Sequence, residues 1–242
     1  MTPSLARLLP CLLFSLLLLG GCDDEDRTIS MGTPAPRPPA DTTVSYLALG
    51  DSYTIGTEVG ADQRWPAQLA QALESKEGIR VAPLEIIARN GWRTDNLANA
   101  LTAAPPGNDY DLVSLLIGVN DQYQGFTSRG YTDRFEGLLQ RCITYAGGDT
   151  SNVFVVSIPD YAYTPFGNGS QDISADISRF NAAAKAVATR YGIPVFDITE
   201  ISRDGLKDPE LLASDRLHPS GKQYKRWVDE VLLARVVPLL RD

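Results

Sequence analysis

One histidine serves the whole 242-residue chain, and it stands three places after an aspartate in Asp215-Arg216-Leu217-His218-Pro219. If the protein transfers acyl groups, His218 is the only imidazole it can use as a base. A hydroxyl nucleophile also has a place to stand. The segment Gly50-Asp51-Ser52-Tyr53-Thr54-Ile55-Gly56 follows the strand-like run 43–49. Ser52 therefore falls on a strand-to-helix turn, where its hydroxyl can stand exposed above a sheet edge. A serine hydroxyl attacks poorly until a base accepts its proton, and neutral imidazole suits that task near pH 7. Asp215 would bond the other ring nitrogen, fixing the tautomer and stabilising the imidazolium as it forms.

Acyl transfer also needs donors aimed at a developing oxyanion. The backbone N–H groups of Ser52 and of Gly91, in Arg89-Asn90-Gly91-Trp92, could supply two. The side-chain amide of Asn120, in Gly118-Val119-Asn120-Asp121, could supply a third that never titrates away. Glycine at position 91 leaves its amide open to an approaching substrate. Taken singly, each segment reads as an ordinary turn or helix cap; their weight comes from occurring together. Asp51 reads as a brace for the turn that carries Ser52, and Arg216 as half of a solvated ion pair. The aromatic loop Pro159–Gly167 offers Tyr161, Tyr163 and Phe166 as one wall of a substrate pocket, with Tyr123 opposite.

The elements that would position these residues follow from periodicity. Five short, mostly continuous apolar runs, 44–50, 84–88, 112–118, 153–158 and 194–198, read as strands covered on both faces. Between them, 64–75, 94–103, 131–145 and 173–191 carry helix-spaced apolar positions, and a last helix runs from about Ser220 to Leu240. Its stripe is Tyr224, Trp227, Val228, Val231, Leu232, Val236 and Leu239. Strand–helix alternation of this kind predicts an α/β fold, a flavodoxin-like three-layer αβα sandwich around a mostly parallel five-stranded sheet. Ligands in such sheets sit at the carboxyl ends of the strands, where all the segments above fall.

Four blocks in this order, around Ser52, Gly91, Asn120 and Asp215/His218, resemble the SGNH (GDSL-type) hydrolase superfamily, whose name spells Ser, Gly, Asn and His. The resemblance covers nearly all of residues 43–240. It implies a serine esterase that cleaves carboxylic esters through an acyl-enzyme, with an O-deacetylase of cell-envelope carbohydrate as the alternative. A non-catalytic envelope binding protein on the same fold is a third reading. Tyr53 stands where the commonest family form has leucine, which bears on packing behind the nucleophile.

The ends of the chain add a location. Residues 1–21 read as a signal segment, with Arg7 ahead of the apolar run 8–19. Leu19-Gly20-Gly21-Cys22 resembles the lipobox of bacterial lipoproteins, which implies lipidation of Cys22 and an envelope protein anchored to membrane and facing the periplasm. Asp23 and Asp24 imply, by the same resemblance, retention at the inner membrane. Residues 22–40, acidic and then proline-rich, read as a tether able to span about 50 Å, and 41–242 as one hydrolase domain. Cys142 reads as a buried structural thiol. The net charge of −8 argues against nucleic acid. A single histidine leaves no H-E-x-x-H pair for a metal, and no phosphate-binding glycine loop is present, so no cofactor is expected.

Overall fold

The computed structural model describes residues 42–241; the signal, the lipidated Cys22 and the tether expected from the sequence lie outside them. Five parallel strands form one sheet in the order β2-β1-β3-β4-β5: β1 (Thr42–Gly50), β2 (Ile79–Ala88), β3 (Leu112–Leu116), β4 (Val153–Val156) and β5 (Val195–Phe196). β3 and β4 are buried at every residue, as their unbroken apolar runs require of parallel strands covered on both faces. On one face α2 (Trp65–Glu77) packs against the C-terminal helix, and on the other α3 (Thr94–Ala103), α5 (Ser128–Tyr145) and α6 (Gln171–Arg190) pack in a row. The result is the three-layer sandwich that the alternation of elements predicts.

Two elements differ from their sequence expectation for identifiable reasons. β2 begins at Ile79, five residues earlier than its apolar run suggests, because Pro83 reads as a breaker. The strand lies at the sheet edge, where a missing backbone N–H costs no ladder bond, and its partner β1 slips register between Val44 and Tyr46. The C-terminal helix is α8 (Gly221–Trp227) and α9 (Leu233–Leu239), joined by a π turn at Val228–Leu232. The wider turn inserts a residue into the helical repeat. Leu233 is therefore buried, while Val231 and Leu239 from the expected stripe are only half-buried. Cys142 is fully buried within α5, and burial pushes its thiol up to about 12, so it stays a neutral packing group.

The strand order reverses direction of growth at β1: β2 is added on one side, β3 on the other. That switch point opens a crevice outside the carboxyl ends of β1 and β3. The chain enters β1 at Thr42, on the amino edge of the sheet, and leaves it at the carboxyl edge, two residues before Ser52.

Candidate active site

Ser52 opens the single-turn helix α1 (Ser52–Ile55) directly after β1. Backbone N–H groups in a first helical turn have no intrahelical acceptor, so the Ser52 amide is available to a ligand. Asp51, fully buried, caps this turn by accepting from Tyr53 N at 3.0 Å, the bracing role its position suggests. Burial pushes the Asp51 carboxyl up to about 8; the nearby charge of Asp121 adds to the rise, and the amides of Tyr53 and Gly118 oppose it. Its Oδ2 has no hydrogen-bond partner among the described residues.

His218 is held from one side. Its Nδ1 lies 2.5 Å from Asp215 Oδ2, while Asp215 Oδ1 accepts from the backbone N–H groups of Leu217 at 3.0 Å and His218 at 2.9 Å. Desolvation works to raise the Asp215 carboxyl, but the His218 ring and these two amides outweigh it, so the group stays below the usual carboxylate range. The tight turn that delivers both residues places Arg216 at φ +58, in the left-handed region. Arg216 is exposed there and makes no ion pair among the described residues, contrary to the sequence expectation. The Tyr53 ring meets the imidazole edge-on, centroids 5.7 Å apart, so the tyrosine beside Ser52 packs against His218.

Asn120 lies in α4 (Val119–Tyr123), just after β3. Gly118 precedes it at φ +130, and a Cβ there would come within 2.6 Å of the buried Tyr131 ring, so both conformation and space demand glycine. Asn120 Nδ2 donates to the Trp92 carbonyl at 2.9 Å, which leaves its second N–H without a bond of this kind. Gly91, three residues after the end of its expected strand, is exposed at φ +78. A Cβ at Gly91 would meet no protein atom within 4 Å; the left-handed conformation, rather than crowding within the protein, is what calls for glycine.

A cavity of about 200 Å³ collects most of these elements, with Gly91 and Asp215 standing outside its lining. Ser52, Asn120 and His218 line it together with Tyr53, Asn90, Val119, Tyr123, Tyr161, Phe166 and Leu217. Among the described residues no hydrogen bond joins Ser52 Oγ to His218; such contacts are often long before substrate binds. Tyr123 and Phe166 are 60% and 53% exposed with ring centroids 5.9 Å apart, forming an aromatic lip. Tyr161 lies behind it, its hydroxyl donating to Gln122 Oε1 at 2.8 Å. Tyr163 is a correction: it does not line the cavity, and the Arg203 guanidinium sits 5.6 Å from its ring centroid instead. Tyr161 and Tyr163 share one tight 3₁₀ turn, in which side chains two apart diverge. The cavity wall at Asn90, Val119 and Leu217 escaped sequence reasoning, although each neighbours a residue it singles out.

Similar proteins are known, and the solved structures among them share this arrangement of elements. The spore germination lipase LipC of Bacillus licheniformis is 25% identical over 216 residues, covering 79% of this chain and 96% of that protein. Among solved structures, the lipase Lip_vut3 from a goat rumen metagenome superposes with a TM-score of 0.66 at 21% identity, over 82% of this chain and 99% of that one. Axe2, an acetylxylan esterase from Geobacillus stearothermophilus, does so at 0.60 and 18%, over 81% and 94%. Residues 48–226 match the model of the GDSL-like lipase/acylhydrolase family, a span that begins in β1 and ends in α8. The chain belongs to that family and is a carboxylic ester hydrolase.

Proposed function

We propose that Ser52 is the nucleophile, His218 the general base and Asp215 its orienting partner. Ser52 Oγ attacks the ester carbonyl as its proton passes to His218 Nε2. The tetrahedral intermediate collapses, the alcohol leaves with that proton, and an acyl-Ser52 ester remains. Water, deprotonated by the same imidazole, then releases the acid and restores the serine. The oxyanion would be met by the N–H groups of Ser52 and Gly91 and by the free amide N–H of Asn120. The observation that carries this reading is the Asp215–His218 contact at 2.5 Å, on an imidazole that shares a cavity wall with Ser52.

The cavity is smaller than the roughly 300–1,000 Å³ usual for drug-sized ligands, which suits a short acyl group. The aromatic lip extends the apolar wall outward, however, so acyl chains longer than acetyl gain contact with Tyr123 and Phe166. The expected result on nitrophenyl esters is a kcat/KM that rises beyond acetyl by up to about fourfold per added methylene, the equivalent of about 0.8 kcal/mol, before levelling off. Tyr123→Ala and Phe166→Ala should flatten the rise. A strict acetyl preference would instead favour the O-deacetylase of envelope carbohydrate, the reading that the small cavity supports. Failure of a fluorophosphonate probe to label Ser52 in folded protein would defeat both.

Lipidation at Cys22 and a periplasm-facing position, inner membrane favoured, complete the proposal. Cys22→Ser should move the protein from the membrane fraction to the soluble fraction in fractionated cells. Continued membrane association of that variant would count against the anchor.

A further inference from the structure

Resting on the serine-hydrolase reading, we propose that Asp121, with Arg134, is a positioning residue that sets the spacing of the two oxyanion donors Gly91 and Asn120. These donors sit on separate stretches of chain, one before α3 and one in α4. Asp121, next to Asn120, is fully buried. Its Oδ2 accepts from Thr94 N at 2.9 Å; its Oδ1 accepts from Thr94 Oγ1 at 2.6 Å and from Arg134 Nη2 at 3.1 Å. Arg134 Nε also donates to Thr94 Oγ1, at 2.9 Å. Thr94 heads α3 three residues after Gly91, and Trp92, next to Gly91, gives its carbonyl to Asn120 Nδ2.

The two stretches are therefore stitched twice, once by the Asp121 carboxylate accepting from Thr94 and once by the donor amide itself. A third tie runs from Arg93 Nη1 to Gln124 Oε1 at 2.5 Å, and Phe126 lies 5.2 Å from the Arg93 guanidinium and 4.8 Å from that of Arg134. A buried carboxylate placed to cap a helix could do so with its neighbour alone. This one reaches 27 residues back in sequence to the turn that carries Gly91, and holds a countercharge from α5 as well. Charge-assisted bonds of this kind are shorter and stiffer than neutral ones. Donor placement is exacting, since a displacement of about 1 Å can cost about 100-fold in rate.

The test is Asp121→Asn, which keeps the shape and removes the charge. Expected is a kcat lowered by roughly 10- to 100-fold with KM changed by no more than about twofold, the mark of an interaction made in the transition state. In an Asn120→Ala background, where one positioned donor is already gone, the same change should cost only about threefold. An equal loss in both backgrounds, or a folded Asp121→Asn with unchanged kcat, overturns the assignment. Should Asp121→Asn fail to fold, Thr94→Val removes one stitch while keeping the Thr94 N–H bond, and the same cycle applies to it. Fluorophosphonate labelling of Ser52 in the unaltered protein is the separate check: without it the hydrolase roles fail, and with it only the positioning role is at stake.

Discussion

Alanine at His218 will lower kcat/KM by about 10⁴-fold or more, alanine at Ser52 will do the same, and the two together will cost little beyond either alone. The reason is chemical. Without the imidazole the serine proton has no acceptor in the cavity, and without the serine the imidazole has no nucleophile to activate. No other imidazole exists in the chain to take its place. The residual rate would report the oxyanion donors and binding alone. Both variants should fold: Ser52 is small, and His218 loses mainly its edge contact with Tyr53 and its tie to Asp215. Steady-state turnover of a nitrophenyl ester, with circular dichroism to check the fold, makes the measurement. A near-normal rate in either variant rejects the role given to that residue.

The second large effect concerns stability. Asp51 is fully buried one residue before Ser52, and its folded carboxyl is pushed up to about 8 by burial, from an ordinary value near 3.8. Between those two values the folded protein holds a proton that the unfolded chain has released. Stability from this group is therefore greatest below about pH 4, falls as pH rises, by up to about 1.4 kcal/mol per unit, and levels off above about 8. Asp215 works in the opposite sense at the acid end: its carboxyl is held low, so its contribution is lost as pH falls through the acid range. Asp51→Asn should remove the loss between about pH 4 and 8, because an amide cannot ionise while its oxygen can still accept from Tyr53 N. Urea unfolding of both proteins at pH 5, 6, 7 and 8 separates the cases. Parallel stability curves would show that Asp51 ionises no differently when folded.

Much of this architecture is legible in residue order because each informative segment sits where a strand must end. Ser52 and Asn120 stand out in short polar turns that follow apolar runs, His218 as the one imidazole of the chain with Asp215 three residues before it, and the fold brings Ser52, Asn120 and His218 to one cavity. What escaped depends on contacts between segments distant in sequence. Nothing local marks Asp121 as the partner of Thr94, 27 residues earlier, or of Arg134, 13 later. The direction of Tyr163 is set by a tight turn whose conformation aromatic composition does not reveal. Pro83 hid half of β2, since only its place at the sheet edge makes a proline harmless there. The π turn at Val228–Leu232 shifted a helical stripe that periodicity alone would draw straight.

Parallel strands give the domain two unlike poles. Thr42 lies at one pole, while Ser52 and its aromatic lip crown the other end of the nine-residue β1, about 30 Å away. A surface that covers the Thr42 pole would leave the mouth uncovered. Esters would then reach Ser52 from the side opposite that surface.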